Sequence, residues 1–194
     1  MTYQNHYGYQ NQFQNSFQNT QQNPQQYSFQ NPYYTNQRNV PSIAYAQIQG
    51  GPLAPDLQGY VFFRNVPNGA EVYVEVKGLP EYKPAKGNKK PIGPHGFHIH
   101  ENGDCKVGKK DDPFQAAGGH WNPDNQPHGN HAGDFPVLFS NNGYARMSFF
   151  TNRFRVKDII GKAIIIHQNP DDYRSQPAGD AGKRLACGEI KKYQ

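Results

Sequence analysis

From Pro41 onward, apolar and polar residues alternate in short runs that end at Gly, Pro or Asn. Residues 44–48 make one such run, stopped by Gly50-Gly51-Pro52. Runs at 57–66 and 70–76 follow, separated by Pro67-Asn68-Gly69, a sequence suited to a hairpin turn. Val72, Val74 and Val76 lie two residues apart and so share one face of an extended chain, as a half-buried strand requires. Further runs occupy 96–100, 135–139, 144–150, 159–167 and 185–190, with Asn141-Asn142-Gly143 marking a second hairpin. About eight short strands, no long helical period and loops rich in Gly and Pro predict an all-β domain, a sandwich or barrel. Two long loops remain, roughly 102–134 and 169–184, and loops of that size in a compact β-domain usually carry function.

The first 39 residues follow another pattern. About half are Gln or Asn, interleaved with Tyr3, Tyr7, Tyr9, Phe13, Phe17, Phe29, Tyr33 and Tyr34. No acidic residue precedes Asp56, and no aliphatic run seeds a core. The reading is a disordered, self-associating tail over 1–40, since amide and aromatic side chains stack into intermolecular β-ladders, followed by one domain at 41–194. The tract has neither a basic leader nor an apolar stretch of the kind a secretory signal needs. No apolar run approaches the roughly 18–20 residues of a membrane span. The tail also accounts for a hydrophobic content of 35% in 194 residues. A net charge of +5 is mild, and the lysines at 83–90 and 106–110 accompany no nucleic-acid reading element.

Of eight histidines, seven lie at or after His95. His98 and His100 are two apart in a predicted strand, so both imidazoles point to one face and can hold one ion. His120 follows in Gly118-Gly119-His120-Trp121, then His128, His131 and Asp134 within seven residues, and His167 closes a run of isoleucines. A mixed set of three His and one Asp suits tetrahedral zinc. His98, His100 and His167 are left for a second ion, with one imidazole able to bridge through both nitrogens. A nitrogen-rich site without thiolate fits Cu(II).

These stretches resemble the copper/zinc superoxide dismutases, of bacterial type. The resemblance runs from about Pro41 to Ile190 and rests on His95-Gly96-Phe97-His98-Ile99-His100-Glu101, Gly118-Gly119-His120-Trp121-Asn122-Pro123, His128-Gly129 with His131-Ala132-Gly133-Asp134, and Gly182-Lys183-Arg184-Leu185-Ala186-Cys187-Gly188. It implies an immunoglobulin-like Greek-key sandwich. It further implies an antioxidant oxidoreductase that converts superoxide to dioxygen and hydrogen peroxide while copper alternates between Cu(II) and Cu(I). Copper would be held by His98, His100, His120 and His167, and zinc by His120, His128, His131 and Asp134. His120 would be the bridge and proton carrier. Asp171 would accept hydrogen bonds from one ligand of each metal, His95 would be structural, and Arg184 would attract the superoxide anion.

The resemblance also implies a Cys105–Cys187 disulfide. Together with the tail it favours an oxidising, cell-surface location such as a spore coat, with self-association or surface-layer binding through 1–39. A cytoplasmic location and a homodimer are the other readings the chain leaves open, as are a metal-binding protein without turnover and a structural coat component. Three departures stand out from the family pattern: only Gly129 and Asn130 separate His128 from His131, the 169–184 loop is short, and an insertion occupies 81–91.

Overall fold

The computed structural model describes residues 42–193. The expected tail therefore lies outside the described residues. Seven strands form one curled antiparallel sheet: β1 (Ile43–Gly50), β2 (Gln58–Val66), β3 (Gly69–Lys77), β4 (Phe97–His100), β7 (Tyr144–Thr151), β8 (Ala163–His167) and β9 (Arg184–Lys192). Their order is β4-β8-β9-β1-β2-β3-β7, and a two-stranded ribbon of β5 (Gly108–Lys109) and β6 (Asp112–Pro113) stands apart in the first long loop.

Alternation decides which side of each strand meets the core. Ala44, Ala46 and Ile48 of β1, Val61 and Phe63 of β2, and Val72, Val74 and Val76 of β3 are buried together inside the curl. The alternate residues, including Tyr45, Gln47, Tyr60 and Tyr73, face outward. From β4, Phe97 and Ile99 enter this core, joined by Ile164 and Ile166 of β8. Burying side chains of this size contributes roughly 1.5–3 kcal/mol each.

β4 and β8 are buried on both faces. The second face of β8 carries Ala163 and Ile165, which pack beneath Phe114, Ala117 and Cys187 in a separate apolar cluster with Cys105. The first long loop thus folds back over the outside of the sheet. A disulfide between Cys105 and Cys187, 82 residues apart with Cα atoms 5.6 Å from each other, fastens it to β9. Closing a loop of that length stabilises the fold by about 4.5 kcal/mol on the chain-entropy account.

Two of the predicted strands differ in detail. Residues 135–139 form no strand; isolated bridges His98↔Asp134 and His95↔Leu138 run along the open edge of β4 instead. Pro136 has no N–H to give a ladder, and the Val137 N–H donates to the Tyr173 hydroxyl at 2.9 Å. The run at 159–167 begins as the end of a single helical turn, α1 (Val156–Ile159), whose entry is capped by Asp158 accepting the Arg155 N–H and by Asn65 accepting the Val156 N–H. Gly161 then turns the chain with φ 79° before β8 starts. The 81–91 insertion is a small hairpin with bridges Lys83↔Ile92 and Lys86↔Lys89, and its Lys90 ammonium pairs with Asp180 in the second long loop.

Candidate metal centre

His98 and His100 occupy the β4 positions between the core residues, so their rings leave the sheet on the face that the long loops cover. In the ladder they stand opposite Ile165 and Ala163. A register shift between Ile166 and His167 re-aims the end of β8, as a bulge does, and His167 joins the same group of rings. The loop after β4 brings in His120, which bridges to His100 along the backbone. The turn at 127–134 supplies His128, His131 and Asp134.

All seven of these side chains are buried. They fall into two groups that share His120: His98, His100, His120 and His167, and His120, His128, His131 and Asp134, with the ligand atoms of each group within 4.8 Å of one another. The ring nitrogens on the far sides are tied down. His98 and His128 both donate through Nε2 to Asp171, at 2.6 and 2.9 Å. His100 donates through Nδ1 to the Gly118 carbonyl at 3.0 Å, and His167 through Nδ1 to the Gly182 carbonyl at 3.3 Å. Hydrogen bonds of this kind fix the tautomer and the aim of a metal-binding ring.

The nitrogens facing inward are left without partners. His98 Nδ1, His120 Nε2, His128 Nδ1 and His131 Nδ1 are buried and make no hydrogen bond. His100 Nε2 and His167 Nε2 face each other at 3.2 Å. On the other side of His120, Nδ1 lies 3.0 Å from Asp134 Oδ1, while His128 Nδ1 and His131 Nδ1 approach the same carboxylate at 3.2 and 3.4 Å. Orphaned polar atoms are costly in a dry interior unless a cation or water satisfies them. Four imidazoles without an acid suit copper, and three imidazoles with a carboxylate suit tetrahedral zinc. The donor set therefore fits both ions.

Electrostatics favour the neutral, ligating form. Burial, reinforced by neighbouring histidines, holds the His98 and His100 pKa values well below the ordinary 6.5. The same burial pushes His167 down to about 3. For Asp134, desolvation acts upward, but the His120 hydrogen bond and the nearby His128 and His131 outweigh it and the net shift is downward.

Arg184 opens β9 directly opposite His167 in the ladder. Its two terminal nitrogens donate to the Phe114 and Gly118 carbonyls, both at 2.6 Å, and its charge bears on His100 and His167. His95 is fully buried and its Nδ1 bonds the His167 carbonyl at 2.9 Å, behind the ligand cluster.

The chain belongs to the copper/zinc superoxide dismutase family. The family's sequence model matches residues 57–190. Among curated relatives, the copper–zinc superoxide dismutase of Deinococcus radiodurans is 37% identical over 147 residues, covering 67% of this chain and 75% of the relative. That of Legionella pneumophila is 36% identical over 141 residues, covering 69% and 77%. A second such enzyme from Aquifex aeolicus is 37% identical over 139 residues, covering 64% and 73%.

Several supporting residues of this dismutase centre carry no motif of their own. Tyr173 donates its N–H to Asp171 Oδ1 at 2.7 Å and its hydroxyl to the Phe135 carbonyl at 3.1 Å, joining the second long loop to the metal turn. Gly179 runs at φ 64°, and a Cβ there would overlap Asp171 Oδ1 and His128 Nε2. Arg153, beyond the end of β7, reaches the His131 carbonyl. The sequence signal was at most a Gly in a loop.

Proposed function

We propose that this chain is a working superoxide dismutase, with copper held by His98, His100, His120 and His167 and zinc by His120, His128, His131 and Asp134. The observation carrying the reading is the ring of buried, unpartnered imidazole nitrogens on both sides of His120. Two superoxide anions and two protons become dioxygen and hydrogen peroxide. When bound, copper supplies one-electron exchange between Cu(II) and Cu(I), and zinc supplies a fixed positive charge.

His120 manages one of the protons. Its Nε2 takes up a proton in the half-cycle that releases dioxygen and gives it to the second superoxide in the other half. Its Nδ1 stays on the Asp134 side throughout, so the ring does not rotate between strokes. Asp171 keeps His98 and His128 aimed by accepting from both. Arg184 offers the incoming anion a guanidinium already positioned by two carbonyls, which lowers the reorganisation needed on arrival. Replacing His120 by Ala should abolish superoxide removal by protein loaded with copper and zinc. Full activity in that variant would end the reading.

The disulfide favours an oxidising compartment. Residues 1–40 form a tail to the enzyme domain at 41–194, and residues 1–39 serve self-association or attachment to a surface layer such as a spore coat. The support is their Gln, Asn, Tyr and Phe content. Deletion of 1–39 should shift the protein to the soluble fraction of fractionated cells and reduce its apparent mass in light scattering. An unchanged distribution and mass would refute the assignment.

A further inference from the structure

The turn that carries His128 and His131 is very short. Asn130 donates its N–H to the Pro127 carbonyl at 3.1 Å, and Gly129 turns the chain at φ 90°. Within four residues the backbone must present two imidazoles to one ion. The Gly129 and His131 N–H groups both donate to Asp134 Oδ2, at 2.9 and 3.0 Å, which ties the turn to its own carboxylate.

His131 differs from the other ligands in how its backbone is held. The rings of His98 and His128 are anchored by Asp171, those of His100 and His167 by backbone carbonyls, and His120 lies against Asp134. The His131 ring is held by the Gln126 carbonyl, and its Nδ1, like the inward nitrogens of His98, His120 and His128, has no hydrogen-bond partner. Its aim also depends on its backbone, because the ligand sits in a turn of four residues. That backbone is gripped from outside the turn by one side chain: Arg153 Nη1 donates to the His131 carbonyl at 2.8 Å, and Nη2 donates to Asn130 Oδ1 at 3.2 Å. Both bonds come from a residue just past β7, the sheet edge opposite β4 in the strand order. The Asp134 N–H shares the same carbonyl at 3.2 Å. The planar fork therefore fixes the peptide that leaves His131 and the side chain that precedes it.

We infer that Arg153 is a positioning residue for the zinc site, holding His131 by its backbone and by the Asn130 side chain beside it. This rests on the ligand assignment proposed above. It touches neither metal nor substrate, so its effect should appear as selective weakening of one metal.

The test titrates the metal-stripped, full-length protein with Zn(II) against a competing chelator, and with Co(II) as a visible-spectrum reporter of tetrahedral geometry. Arg153→Ala should weaken Zn(II) binding by roughly tenfold, the lower end for groups that support ligands, and broaden the cobalt spectrum. Uptake of the first equivalent of Cu(II) should be unmoved. Arg153→Lys should recover part of the loss, since an ammonium serves the carbonyl without the fork. Zinc affinity and cobalt spectrum like the parent's would overturn the inference. So would an equal loss of both metals with a matching fall in the melting temperature of the stripped protein, the mark of a merely structural role. His131→Ala is run beside it: retention of a tetrahedral cobalt site there would refute the ligand assignment itself, whereas its loss together with an unaffected Arg153→Ala refutes only the role of Arg153.

Discussion

At residue 179 two requirements meet. The backbone takes a left-handed φ of 64°, and the space where a side chain would begin is filled by the carboxylate of Asp171 and the ring of His128. Alanine there must either move Asp171 or distort the loop. Asp171 serves one ligand in each cluster, so its displacement frees His98 and His128 together. Gly179→Ala should therefore weaken retention of both metals by roughly 10–100-fold, the range for losing a group that orients ligands. Metal analysis after dialysis against a chelator reads this directly. Retention of copper and zinc at the parent's level would show that Asp171 does not organise the pair. The contrast with Arg153 is informative, because one change should disturb two metals and the other only zinc.

At the scale of elements, the first two side chains of the centre follow from strand parity. Phe97 and Ile99 point into the core, so His98 and His100 must point out of it. This was legible because a strand repeats every two residues. The two long loops were legible too, as Gly- and Pro-rich stretches, the first holding His120, His128, His131 and Asp134 and the second Asp171. The spacing could not show that residues 135–139 leave the ladder, since their apolar content resembles a strand while Pro136 and the Tyr173 hydroxyl decide otherwise. Nor could it show the supports. Tyr173 acts on Phe135, Gly179 on Asp171 and His128, and Arg153 on His131, through contacts 8 to 51 positions apart, and such contacts exist only once the sheet has curled. The first long loop lies outside the sheet and is fixed by Phe114 and Ala117 packing on β8 and by the disulfide. A local sequence window contains none of that packing.

For the domain as a whole, the centre makes folding depend on protons. Burial lowers the pKa values of His95, His98, His100, His131 and His167. In the unfolded chain these rings titrate near about 6.5. In the folded, metal-stripped protein His167 waits until about 3. Between those values the unfolded state binds protons that the folded state refuses, so stability falls as pH falls. The contribution is complete above about 6.5, and each buried imidazole removes up to about 1.4 kcal/mol per pH unit below it. Urea midpoints of the stripped protein should thus drop steadily between pH 7 and pH 5. Protein loaded with both metals should hold its midpoint further down the scale, because ligation requires the same neutral rings and adds binding free energy to the folded state. A flat profile for the stripped protein over that window would mean that its histidine cluster admits water and takes up protons without unfolding. The cost of assembling seven buried ligands would then be relieved by hydration, and the metals would bind to a site already open to solvent.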